Sequence, residues 1–561
     1  MIRFPFTNLL LGGLVFLAGC GSSTEPGPPT LDCSKVSPTN LAVGDLAIID
    51  AAQKACIRLP AAGSGGAEYA YVALATDGTV SESGVTADYE LQGSAAAAAG
   101  VSSAARAAVE SARAPDAAAA FHTRLRARER ALSEKRGAVQ LDRGALSTTV
   151  PTPPSLGDQR SFEVCATTDC TGFVQSTATA KVIVPGGRVA IFLDNTVPAG
   201  GYTQADLDKV GQLFDTQLYP IDTTAFGRES DLDNNGVVIV LLTPRVNALA
   251  PNCNTTGSVI LGYFYGLDLL PSQPHSNAGE VFYGLVPDPG NSACDISKDF
   301  ATRFLPPVFI HEFQHMISFN QHVLLRQGPS EATWLNEGLS HFAEELGGRL
   351  IPDVECQPAF ASCENQFIAG NVDDAYEYLD DTESSFLIEP GNSTGTLAER
   401  GANWLFVRWL ADHFAATQPT GKELTRALVQ TGRDGAGNVE AVTGADFSTL
   451  VAQWQLANYL DDLPGFTPLS DRLRYTSFDF RSIYQAAFDA GQFAKPFPLT
   501  PDVAGLGSYT RSGTLRGGSG RHLDIVQAAG AGEVTILLTG PGGTAVLPAS
   551  VKPRAVLARI R

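Results

Sequence analysis

Positive charge is in short supply: 39 Lys and Arg face 59 Asp and Glu in 561 residues, a formal net charge of −20. Such a surface repels a phosphate backbone, which excludes nucleic acid as a partner but identifies no substrate. A long apolar run is also missing from the start of the chain, where the stretch 9–17 is too short to span a bilayer. Disorder is excluded by the 44% of hydrophobic residues, enough to fill the three or four domains this length implies. Histidine is scarce, at 8 residues, so a patterned pair carries information.

Met1, Ile2 and Arg3, the apolar stretch and then Leu17-Ala18-Gly19-Cys20 have the layout of a secretory signal with a small-residue cleavage site. Because the small residues end in cysteine, the segment resembles the lipobox of bacterial lipoproteins. That resemblance implies loss of residues 1–19, lipid attachment at Cys20 and a membrane anchor of acyl chains. Asp is absent after Cys20, which by the same resemblance implies the outer membrane or cell surface in a Gram-negative cell. An ordinary signal peptide is the alternative. Residues 20–32 read as a flexible tether. Setting Cys20 aside leaves Cys33, Cys56, Cys165, Cys170, Cys253, Cys294, Cys356 and Cys363. In an exported chain this even set reads as disulfides, with sequential pairing the expectation, although sequence alone does not select the connectivity.

Short strands are expected in 33–180, interrupted at 94–147 by an Ala-rich insertion, helical or disordered, whose Arg124, Arg126, Arg128, Arg130, Lys135 and Arg136 read as a solvated, mobile helix. A processing site or membrane contact is the functional alternative for that basic stretch. Further strands are expected at 182–184, 189–193, 237–242, 259–267 and 280–286, with a helix capped by Thr203 carrying Leu207, Val210, Leu213 and Phe214. Asp231, Asp233, Asn235 and Gly236 look like the beginning of a Ca2+ loop, oxygen ligands at alternate positions before a glycine turn. Leu242 stands where the closing bidentate Glu belongs, so an acidic turn before a buried strand is the simpler reading. Helices are expected at 402–414, 424–430 and 450–460, and β-like sequence returns from 508.

Pro306 and Pro307 are placed to open a helix containing His311-Glu312-Phe313-Gln314-His315. Four residues turn a helix by about 400°, so both imidazoles project from one face and can share a Zn2+ ion about 2 Å from each nitrogen. Glu312 adjoins a ligand without being one, which suits a general base that takes a proton from zinc-activated water and returns it to a leaving amine. A third ligand is needed, and Glu337 in Trp334-Leu335-Asn336-Glu337-Gly338 is the candidate. His341 could replace or assist Glu337, and His341 or Glu344 could orient an imidazole through its other nitrogen. A metzincin arrangement fails, because Ser318 and Gln321 occupy its Gly and His positions and His322 is one residue out of register. Tyr376, Tyr378 and His413 are downstream candidates for an oxyanion donor.

HEFQH followed by WLNEG resembles the gluzincin metallopeptidases, more closely the hyicolysin-type secreted bacterial peptidases, over roughly 181–463. The 21 residues between His315 and Glu337 exceed the usual spacing and fit a longer loop between the two helices. The resemblance implies an α+β chain: a zincin-like subdomain at 181–350 with a twisted mixed sheet and the active-site helices, and a helical subdomain at 351–500. Small β domains at 33–180 and 501–561 would flank them. It implies one catalytic Zn2+, a protein or peptide substrate, and an edge strand beside the active helix, for which 280–286 is the candidate. The alternatives are a zincin-like surface adhesin without catalysis and a zinc hydrolase of a non-peptide bond. Oligomeric state and cleavage specificity are not legible.

Overall fold

The computed structural model describes residues 31–95, 117–136, 153–356, 358–504 and 509–561. The residues read as an export signal, Cys20, most of the stretch read as a tether and much of the Ala-rich insertion lie outside them. The chain is α+β. Its strands are β1 (Leu46–Asp50), β2 (Cys56–Leu59), β3 (Ala67–Ala75) and β4 (Thr86–Ala95), then β5 (Gln159–Cys165), β6 (Phe173–Ile183) and β7 (Val189–Asp194). They continue with β8 (Val238–Leu242), β9 (Gly262–Phe264), β10 (Val281–Gly284), β11 (Asp502–Ala504) and β12 (Tyr509–Arg516). The last are β13 (Gly520–Gln527), β14 (Val534–Thr539) and β15 (Pro553–Arg559).

Strands from both ends of the chain alternate in two sheets, ordered β1-β15-β3-β13-β11 and β12-β4-β14-β2. Tyr71 sits between Leu523 and Leu557 in register. The terminal β regions, expected as separate domains at 33–180 and 501–561, are therefore one sandwich. β3 explains why: seven of its residues from Tyr69 to Ala75 are buried without interruption, so it needs partners on both edges and cover on both faces. Those partners are more than 400 residues away, beyond the reach of any local pattern.

The third sheet runs β5-β6-β7-β8-β10-β9, parallel at β7–β8 and β8–β10 and antiparallel elsewhere. It already includes β5 and β6, so a boundary at 181 would cut through β6. β8 is wholly buried, as a strand covered on both faces should be. The helix expected after Thr203 spans Gln204–Leu213, with Thr203 and Asp206 forming a reciprocal cap. The expected edge strand is overturned: β9 returns antiparallel along β10 and takes the edge itself. Chain order concealed this, because β9 precedes β10 in sequence but lies outside it in space.

The motif helix spans Lys298–Phe319 and continues as a π-helical turn through Asn320–Leu325. Pro306 and Pro307 thus lie inside the helix, and Ser297 caps it instead, accepting from Phe300 N at 3.0 Å. Pro307 has no N–H for the Arg303 carbonyl, and Gln366 Nε2 donates to that carbonyl at 2.8 Å. The long interval before Glu337 is partly taken up by the helical continuation rather than by loop alone. The partner helix, Thr333–Leu350, packs on helix Leu397–Phe414, where a Cβ at Gly338 would lie 2.7 Å from the Asn403 carbonyl oxygen. Helices Lys422–Val429 and Phe447–Leu460 complete the expected helical part. The cysteines pair sequentially: Cys33–Cys56, Cys165–Cys170, Cys253–Cys294 and Cys356–Cys363. Among the described residues no helix is long and apolar enough to cross a membrane.

Candidate metal centre

Phe309, Phe313, Met316 and Ile317 are fully buried and fix the motif helix against the sheet, leaving His311, Glu312 and His315 directed at the partner helix and β9. His311 Nε2 and His315 Nε2 are 3.2 Å apart. Each stands 3.5 Å from a different oxygen of Glu337. A tetrahedral zinc with bonds of about 2.0–2.1 Å places its ligands roughly 3.3–3.4 Å apart, so the spacing and donor types of these three side chains suit one such ion. The other ring nitrogens face the partner helix: His311 Nδ1 is 2.7 Å from Glu344 Oε1, and His315 Nδ1 is 3.2 Å from Ser340 Oγ. Glu337, His341 and Glu344 share one helical face. Glu345 lies off it, bonded to Arg408 at 2.8 Å and Trp404 at 3.0 Å.

Burial alone would lower the pKa of His311, but Glu337 and Glu344 outweigh it and raise the imidazole to about 10. Burial and Arg126 hold His315 well below its ordinary value. Burial opposes ionisation of Glu337, yet the two histidines hold it well below the usual carboxylate range. His311 is thus favoured as the charged imidazole and His315 as the neutral one, beside an ionised Glu337. Burial pushes Glu312 upward. Glu312 Oε2 accepts from Phe264 N at 2.9 Å and from Arg126 at 3.1 Å.

His341 approaches Glu344 at 3.4 Å and Asn371 Oδ1 at 2.9 Å, forming a second cluster with His311. His322 is wholly buried beside Glu331, 3.6 Å from its carboxylate. The three oxyanion candidates are engaged elsewhere: Tyr376 with Lys495 N at 2.9 Å, Tyr378 with Ser519 and Gln455, and His413 with the Arg474 carbonyl at 3.0 Å.

Helix Ala117–Arg136, expected to be solvated, lies instead against Glu312 and Phe264. Phe121, Leu125, Arg126 and Glu129 are buried, with Arg126 at 4% exposure. Arg126 also donates to the Phe264 carbonyl at 3.2 Å, and His122 Nδ1 is 3.7 Å from Glu312. Sequence reading named Arg126 only as part of a basic stretch and did not single out His122. The signal was the face formed by Phe121, Leu125 and Glu129 at helical spacing, obscured by the neighbouring arginines.

No known protein-family profile matches the chain. The chain is similar to the neutral metalloprotease ShpI of Staphylococcus hyicus, 27% identical over 248 residues, which is 43% of this chain. The match covers 49% of that relative, so the chain spans about half the length of the curated protein it matches.

Proposed function

We propose that the protein is an exported zinc-dependent peptidase, of the hyicolysin type among gluzincins, in which His311, His315 and Glu337 hold one Zn2+ and Glu312 is the general base. The observation that carries this reading is the convergence of two imidazole nitrogens and one carboxylate at 3.2–3.5 Å. Similarity to a metalloprotease supports the reaction class.

When bound, zinc supplies Lewis acidity, lowering the pKa of water toward about 7 and polarising a carbonyl. Glu312 accepts the proton of the attacking water and delivers it to the leaving amine. Glu344 holds the far nitrogen of His311 and thereby fixes the direction of the near one. β9 offers an extended peptide main-chain pairing at the sheet edge, which gives broad tolerance of sequence. The lipid anchor at Cys20, with removal of residues 1–19, belongs to the same proposal, and the four disulfides suit an exported chain.

Casein hydrolysis by wild type and Glu312→Gln, with zinc content measured in both, tests the reading. Equal zinc with hydrolysis confined to wild type is expected. Absence of chelator-sensitive hydrolysis both in zinc-loaded wild type and in a zinc-loaded variant that weakens the contacts of helix Ala117–Arg136 would leave a binding protein instead.

A further inference from the structure

We infer a structural calcium site in which Asp231, Asp233 and Glu280 bind one Ca2+, with Glu280 supplying the carboxylate that the loop itself lacks. The loop is already folded for the task. Gly236 N donates to Asp231 Oδ1 at 3.0 Å and Asn235 N to Asp233 Oδ1 at 3.2 Å, while Asn234 and Gly236 take φ of 54° and 76°. Position twelve is Leu242, which faces the core of β8, so a ligand must arrive from elsewhere. It arrives from the residue that leads into β10: Glu280, 1% exposed, has Oε1 held by Ser230 Oγ at 2.5 Å and Leu232 N at 3.1 Å.

Glu280 Oε2 has no hydrogen-bond partner. A buried carboxylate oxygen is rarely left so, and Glu280 belongs with Asp231 and Asp233 to a group in which one carboxylate oxygen from each residue lies within 4.8 Å of the others. Three carboxylates there face one guanidinium, Arg160, 3.6 Å from Asp233. Gly279 leaves room for the approach, since a Cβ there would meet Asp233 Oδ2 at 3.1 Å. Hard oxygen donors suit Ca2+, with water and main-chain carbonyls completing six to eight ligands. The ion would tie the loop before β8 to the start of β10, clamping two central strands of the sheet.

The test uses zinc-loaded full-length protein with calcium removed and zinc content checked before and after. Flow dialysis should find one Ca2+ with a Kd of about 0.1–1 mM, as in extracellular modules. At 10 mM Ca2+ the Tm should rise by about 2–4 °C. Glu280→Gln should abolish both responses with zinc unchanged. Asp231→Asn, at an exposed position, should do the same and stands in if Glu280→Gln fails to fold. No calcium response in wild type, or an undiminished one in the variants, overturns the site.

A separate observation carries a second inference, which rests on the peptidase reading: helix Ala117–Arg136 is an internal inhibitor occupying the substrate's place. The Phe264 carbonyl and the Gly266 N–H, main-chain groups of the kind an incoming peptide would use, are taken by Arg126 at 3.2 Å and Glu129 at 2.6 Å. Arg126 simultaneously pairs with Glu312 at 3.1 Å, so one oxygen of that carboxylate is occupied by the helix. Thr123 meets Thr394 at 2.9 Å and Arg130 donates to the Ser330 carbonyl at 2.7 Å and to Asp434 at 2.6 Å, which pins the helix across the cleft.

Leu125→Ala and Arg130→Ala loosen the helix without touching the metal residues. Both should accelerate zinc extraction by a chelator and casein hydrolysis by about 5–30-fold, the factor that one to two kcal/mol of helix docking is worth. Faster extraction with no hydrolysis in any form keeps the occlusion and sinks the peptidase reading. Unchanged extraction, or falling hydrolysis where wild type is active, in folded Arg130→Ala shows a permanent wall and overturns the inhibitor.

Discussion

Helices Lys298–Phe319 and Thr333–Leu350 hold their side of the cleft with apolar packing, Phe309, Phe313, Met316, Leu335 and Leu339 being completely buried. Helix Ala117–Arg136 adds ions to the apolar contacts of Phe121 and Leu125: Arg126 lies 2.7 Å from Glu129 and 3.1 Å from Glu312. Apolar contact is non-directional and gains from every covered surface, so His311, Glu312, His315 and Glu337 rest on a foundation that no single bond controls. A buried ion pair must first repay the desolvation of both partners, and its net contribution is small or negative. One side is held by packing throughout; the other holds in part by polar interactions that can be exchanged for water or for a substrate.

That contrast can be broken or sharpened at several points. Removing the proposed base from the packed side with Glu312→Gln should lower casein hydrolysis by about 10²–10⁴-fold at unchanged zinc content, and loss of zinc instead would make Glu312 a ligand. Glu344→Gln should weaken zinc by about 10–100-fold in a competition with a chelating dye, because His311 loses the group that orients it. Gly338→Ala should destabilise the packed side by about 1–3 kcal/mol, read as a lower midpoint in denaturant, since its Cβ would press on the Asn403 carbonyl oxygen.

The smallest effect concerns pH and the turn that follows β9. Burial pushes Asp268 up to about 7 despite hydrogen bonds from Tyr283 and Asn277. Its folded pKa lies above its unfolded one, so between about pH 4 and 7 the folded state binds more protons and stability declines as pH rises, with no further change above 7. Asp268→Asn should flatten part of that decline in a series of thermal melts.

The parts legible in the sequence were those encoded at short range. HExxH, the Thr203 cap, the run of β8 and the cysteine neighbours each depend on spacings a helix, a strand or a small loop imposes. What escaped depends on partners far apart: β3 with β13 and β15, β9 folding back over β10, Glu280 beside Asp231 and Asp233, and Arg126 beside Glu312. Pro306 and Pro307 misled for a related reason. They read as a helix start until a distant glutamine, Gln366, is there to satisfy the carbonyl that Pro307 leaves free.

Anomalous diffraction at the zinc edge from zinc-loaded crystals tests the centre most directly. The expected result is one peak about 2 Å from His311 Nε2, His315 Nε2 and a Glu337 oxygen. A peak among His311 Nδ1, His341 and Glu344, or none at all, would contradict it.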